Sequence, residues 1–147
     1  MGAPTTRLEQ KIRAKDGTFG LNALNVGKAI YDFSTDGGAI ATITPKKGFT
    51  LPKNAVIVAA TINSTTAVLS AGASTMSIGT SAGSSATSIL VATAKASMSV
   101  NALINGAATF AAPVKLTAQG DITVTIATAT QTAGVVEVTV MYFVAAS

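Results

Sequence analysis

The stretch that most constrains this chain is its last, residues 121–144. Ile122, Val124 and Ile126 alternate there with Thr123, Thr125 and Ala127, and Val136, Val138, Val140, Tyr142 and Val144 alternate with Glu137, Thr139, Met141 and Phe143. A period of two sends successive side chains to opposite faces of a pleated strand, so each run has one face of branched apolar groups. The intervening Gln131-Thr132-Ala133-Gly134 supplies a turn, with Gly134 as the residue suited to positive φ, and the two runs are expected to pair as a β-hairpin. A lone hairpin is marginal in water. The rest of the chain must therefore supply a facing sheet.

Upstream, the same pattern recurs. Ala29, Tyr31 and Phe33 alternate with Ile30 and Asp32, and Asp36-Gly37-Gly38 ends that run as a turn. A second strand is expected over residues 39–44, closed by Pro45. A central strand is expected over residues 55–63, with Val56, Val58, Ala60 and Ile62 on one face. Residues 64–88 are almost wholly Ser, Thr, Ala and Gly around a short strand, Thr75 to Thr80. Residues 88–100 suit a helix by propensity, with Ser88 as its cap, although their apolar residues fit both periods. Residues 101–113 read as irregular chain with a turn at Asn105-Gly106, residues 114–118 as a strand, and Gln119-Gly120-Asp121 as a tight turn. About eight short strands so spaced predict an all-β fold, a jelly-roll-like antiparallel β-sandwich over residues 27–147.

Residues 1–26 read differently, as an N-terminal arm. Arg7, Lys11, Arg13 and Lys15 interleave with Glu9 and Asp16, and Thr6-Arg7-Leu8-Glu9 has capping-box spacing for a short helix over about residues 7–14. Such an arm reads either as a frayed, solvated terminus or as a segment that becomes ordered against a neighbouring subunit.

The chemical inventory is sparse. With 147 residues and neither cysteine nor histidine, the chain lacks thiolate ligands, disulfides and the commonest general base. Its acids are Glu9, Asp16, Asp32, Asp36, Asp121 and Glu137. Asp16, Asp36 and Asp121 stand beside glycines, where short carboxylates bond turn N–H groups, and Asp32 and Glu137 belong on exposed strand faces. Ser97 with Lys95 is the nearest approach to a Ser-Lys nucleophile, a pairing common by accident in a Ser-rich chain. Residues 81–85 lack the Gly-Lys-Ser/Thr ending of a phosphate loop. No catalytic, cofactor-binding or metal-ligating residue is assigned, and no enzyme activity is expected. The net charge of +4 is spread thinly, without the dense basic stripe of a nucleic-acid face, and no run of about 20 apolar residues predicts a membrane span.

Several phrases of the chain, taken together, resemble small structural proteins of tailed bacteriophages. They are Ser34-Thr35-Asp36-Gly37-Gly38-Ala39-Ile40, Leu51-Pro52-Lys53-Asn54-Ala55-Val56-Ile57, Met76-Ser77-Ile78-Gly79, and Ala127-Thr128-Ala129-Thr130-Gln131-Thr132-Ala133-Gly134. The likeness spans residues 27–145 and is greatest to head decoration, or cement, proteins. It implies a capsid decoration protein in the virion, a homotrimer on the outer surface of the head whose partner is the major capsid protein, with no cofactor and no nucleic-acid or membrane partner. The alternative is a tail, baseplate or fibre component that binds host-surface carbohydrate, which would be expected to cluster aromatic rings on an outer surface.

Overall fold

Alternation becomes strand almost wherever it occurs, and the pairing of those strands makes two sheets. The computed structural model describes residues 24–82 and 85–146. Along them run β1 (Asn25–Asp32), β2 (Thr42–Ile43), β3 (Thr50–Leu51), β4 (Ala55–Leu69), β5 (Thr75–Thr80), β6 (Ser85–Ala94), β7 (Ala102–Asn105), β8 (Val114–Lys115), β9 (Gly120–Ala127) and β10 (Ala133–Val144). A four-residue helix, α1 (Phe33–Asp36), follows β1, and a 3-10 turn (Lys95–Ser97) follows β6.

The first sheet has the order β1-β10-β4-β7, with β8 also on β4; the second has the order β2-β9-β5-β6, with β3 also on β9. All pairings are antiparallel. Taking β2/β3 and β7/β8 as two interrupted strands, the pairs nest: β1 with β10, β2/β3 with β9, β4 with β7/β8, and β5 with β6. That nesting across two sheets is the jelly roll. The all-β sandwich expected from the sequence is the fold observed.

The core lies between the sheets. Tyr31, Ile57, Ile62, Val136 and Val138 enter it from the first sheet, and Met76, Ile78, Ile89, Ile122, Val124 and Ile126 from the second, each 1% exposed or less. Full burial of one such aliphatic side chain is worth about 1.5–3 kcal/mol, so the sandwich is held by many medium-sized groups. Phe49 closes one region of it. Its ring packs over Gly27 and lies 6.0 Å from that of Tyr142 in a tilted pair, and a Cβ at position 27 would come within 2.3 Å of it.

Several expectations are corrected. The C-terminal runs are both strands, but they are no hairpin: β9 pairs with β5 and β10 with β1 and β4, so the turn between them crosses from one sheet to the other. Alternation says that one face is buried; it does not distinguish a strand's bonded neighbour from the sheet it faces. Gly134 does take positive φ, 141°. The central strand extends to Leu69, and a bulge opposite Met141/Tyr142 changes its parity. Ile57 thereby joins Ala60 and Ile62 in the core cluster, from which Val56 and Val58 are absent.

The helix expected over residues 88–100 is strand β6 followed by the 3-10 turn. Alanine's helical preference is a few tenths of a kcal/mol per residue and yields to pairing with β5 and to burial of Ile89, Leu90 and Met98. Residues 102–105 are a strand rather than irregular chain because β4 is long enough to pair them. The second strand shrinks to Thr42–Ile43 and the strand at 114–118 to Val114–Lys115, and Gly120-Asp121 opens β9 instead of forming a turn. β5 falls at Thr75–Thr80, as expected. The helix expected near residues 7–14 lies outside the described residues. β1 begins at Asn25, paired with Tyr142, two residues ahead of the expected domain start.

Candidate interaction surfaces

Each acid in the described residues has a structural task. Asp32 caps α1: its carboxylate accepts from the Ser34 hydroxyl at 2.6 Å and the Ser34 N–H at 2.9 Å. Those two bonds, hydroxyl first, with help from Lys47, hold its carboxyl below the usual carboxylate range. Asp36 accepts from the backbone N–H groups of Asp32 and Lys46, both at 2.9 Å, tying α1 to the segment after β2. Asp121, expected in a turn, sits in β9 and accepts from Thr50 Oγ1 on β3. Glu137 lies on the outer face of the first sheet and pairs with Lys28 at 2.9 Å. Asp36→Ala is expected to lower unfolding free energy by about 1–3 kcal/mol, the worth of hydrogen bonds to a charged acceptor, as read from urea denaturation.

Ser97 and Lys95 do not make a nucleophile. Both stand in the 3-10 turn, where Lys95 Nζ donates to the Ser70 carbonyl and its backbone N–H to the Ser74 carbonyl. Among the described residues no group of three or more metal-ligating acids converges. A hydroxyl-lined hollow of about 390 Å³ lies on the second sheet between Thr42, Thr44, Thr80, Ser81, Ala86 and Thr123; a second, of about 270 Å³, lies beside Lys115. Neither is lined by a carboxylate. No helix among the described residues is long and apolar enough to cross a membrane.

One polar network does reach the interior, and it is structural. Tyr31, fully buried, donates its phenolic proton to the Gly37 carbonyl at 2.7 Å, with Gln131 Oε1 at 3.1 Å, and Gln131 Nε2 donates to Ser74 Oγ at 3.3 Å. Gln131 also donates its N–H to the Gly38 carbonyl at 2.8 Å. The loops after β1, β4 and β9 are thus stitched together at one end of the sandwich. Sequence reasoning missed this set, because Gln131 sits in a turn and nothing local marks it as buried.

The aromatic rings are mostly inside. Tyr31 and Tyr142 are buried, Phe33 and Phe49 pack against the core and Phe143 is half-buried, which leaves Phe110 as the large exposed ring of the described residues, 68% accessible. The outer-surface ring cluster expected of a sugar-binding fibre component does not form among them.

Charge is polarised across the fold. Lys28, Asp32, Asp36, Lys46 and Lys47 gather at β1, α1 and the segment after β2, with Lys47 bridged to Ile30 on the free edge of β1. Between Lys53 and Lys115 the chain holds one charged residue, Lys95. The opposite side of the sandwich, where β6 edges the second sheet and β7 and β8 the first, carries Lys95 after β6 and Lys115 on β8, which lines a hollow with Ser85 and Ser88 of β6.

No protein-family model matches the chain, and no curated protein does. Solved structures do. The chain is similar to one in the acidic stable capsid structure of Helicobacter pylori bacteriophage KHP30, with TM-score 0.59 and 14% identity over 83% of this chain and 88% of that one. It is similar to one in the capsid asymmetric unit of cyanophage Pam1, with TM-score 0.60 and 18% identity over 83% and 85%. It is also similar to one in the capsid of Ralstonia phage GP4, with TM-score 0.55 and 18% identity over 84% and 86%. At such identities the likeness is one of fold, and it runs through most of each chain. The two-sheet fold described above is thus shared with chains of three bacteriophage capsids.

Proposed function

We propose that this chain is a non-enzymatic structural protein of a bacteriophage virion, a decoration protein that binds the outer surface of the head and stabilises it across contacts between capsid subunits. The observation that carries the reading is the fold shared with chains of three phage capsids over more than four-fifths of this chain. The side chains support it: the acids of the described residues hold turns and strands, and none of them faces a cavity with a partner base. A protein of this kind works through area. Binding to the assembled shell and not to its separated subunits adds stability to the particle by mass action.

Purified heads that lack this protein are the test. The chain is expected to co-sediment with them saturably and to raise the temperature at which they release their genome. A chain that stays in the supernatant at every concentration overturns the reading.

A further inference from the structure

Between β7 and β8 the chain leaves the edge of β4 and returns to it. β7 pairs with residues 61–64 of β4 and β8 with residues 56–57, and the stretch between them, residues 106–113, runs out as a loop. Both sheets hold its base. Gly106 donates its N–H to the Ala60 carbonyl of the first sheet at 2.8 Å, and Ala107 donates to the Ile89 carbonyl of the second at 2.7 Å. Position 106 takes only glycine without a shift, since a Cβ there would lie 2.7 Å from the Ile89 carbonyl oxygen and 2.6 Å from the Ala60 Cβ. Ala108, 2% exposed, joins the core cluster.

Beyond that base the chain makes a closed turn. Thr109 and Ala112 exchange backbone bonds of 3.2 and 3.1 Å, and the Thr109 hydroxyl accepts from the Ala112 N–H at 3.0 Å. Phe110 stands in the turn, 68% accessible and outside the core cluster. Covering an open sheet edge accounts for the loop. It does not account for the ring. Single exposed hydrophobic residues are ordinary, but this one is the largest side chain among those exposed in the described residues, and it is held differently. An aromatic side chain has two torsions, and this one springs from a backbone bonded on both sides of it, so little freedom is left to lose when the ring is buried.

We propose that Phe110 is an anchor by which this chain seats on the head, its ring entering an apolar pocket in the protein of the assembled shell; the inference rests on the virion reading above. The surroundings of the ring select that occupant. No residue from 96 to 114 is charged, and the next cation along the chain, Lys115, belongs to β8 and lines the hollow beside Ser85 and Ser88. A membrane surface or a nucleic acid calls for cations beside the ring. A sugar calls for hydrogen-bonding side chains at its rim, whereas the ring's neighbours in the turn are two alanines and a threonine already bonded within it. Each of the two hollows described above is lined by several hydroxyls, so neither is a matching seat on a second copy. An aromatic among small uncharged residues is the composition of a protein interface core, where charged groups are depleted and a few aromatic anchors carry most of the affinity.

Binding of the full-length chain to purified heads that lack it, by co-sedimentation over a range of concentration, is the experiment. Phe110→Ala is expected to raise the dissociation constant about tenfold or more, the effect of truncating an interface anchor. Phe110→Leu keeps an apolar side chain and is expected to recover most of the loss. Val26→Ala is the control: Val26 is 63% accessible on β1, at the other edge of the first sheet, and its truncation is expected to leave binding unchanged. Thermal unfolding and the light-scattering mass of each free variant are expected to match the wild type, because the ring is outside the core. Phe110→Ala that binds as tightly as the wild type, or a loss of equal size in Val26→Ala, overturns the proposal. So does a mass that falls in Phe110→Ala, which would put the ring between copies, or binding to phosphatidylcholine–phosphatidylglycerol vesicles that Phe110→Ala abolishes. A wild type that pellets with heads no better than Phe110→Ala removes this inference and keeps the virion role; a wild type that never pellets removes both.

Discussion

Gly79→Ala is expected to destabilise the protein by about 3 kcal/mol or more, which lowers the urea midpoint by about 1–3 M. The reason lies in the pairing of β5 with β6. Ile78 pairs with Leu90 and Thr80 with Ser85, so residues 86–89 of β6 oppose Gly79 alone and arch across it. A Cβ at position 79 would lie 1.8 Å from the Ser85 carbonyl oxygen and 2.7 Å from the Ala86 carbonyl carbon. Those are backbone atoms, which have no rotamer to escape into, so the bulge itself would have to move. Ile89 and Leu90, buried side by side because the bulge breaks the alternation, would move with it. An unchanged midpoint would mean that residues 86–89 do not cross Gly79.

The second large effect is alkaline. Burial pushes the Tyr31 phenol up to about 12, with the carboxylates of Asp36 and Asp32 adding to the shift. An unfolded tyrosine ionises near 10, so the folded state holds the proton more tightly. The sign follows: this contribution is fully present below pH 10 and is lost as pH rises toward 12. Two pKa units correspond to about 2.7 kcal/mol. Tyr31→Phe keeps the ring but leaves the Gly37 carbonyl and Gln131 Oε1 without their donor, at a cost of about 1–2 kcal/mol near pH 8. Unfolding free energy measured from pH 8 to 12 should therefore show the wild type ahead at pH 8 and level with or behind Tyr31→Phe by pH 12. Contributions common to the two proteins cancel in the difference. Parallel curves would contradict the buried hydrogen-bonded phenol.

If both predictions hold, the rigid parts of the molecule are the two places where the chain crosses itself: the loop end laced by Tyr31 and Gln131, and the β5–β6 bulge over Gly79.

Strand positions were legible wherever alternation was strong, as in β1, β5, β9 and β10. The class of the fold followed from their number and spacing. Residues 88–100 were not legible, because Ala and Ser satisfy either period and only the place beside β5 selects strand. The absence of histidine and cysteine could also be read directly, since no arrangement of this chain brings them in. The surfaces could not: Leu103 and Ile104 are consecutive apolar residues, and only the pairing of Ile104 with Ile62 turns one inward and leaves the other in solvent.

By itself, then, the sequence determined that strands form, about where, and that one face of each is buried, because side-chain alternation is a local property of the backbone. Which strand pairs with which was decided by the tertiary structure alone. The two C-terminal runs carry the same pattern whether they bond to each other or face each other across a core, and only the competition of β1, β4 and β5 for their edges places them in opposite sheets.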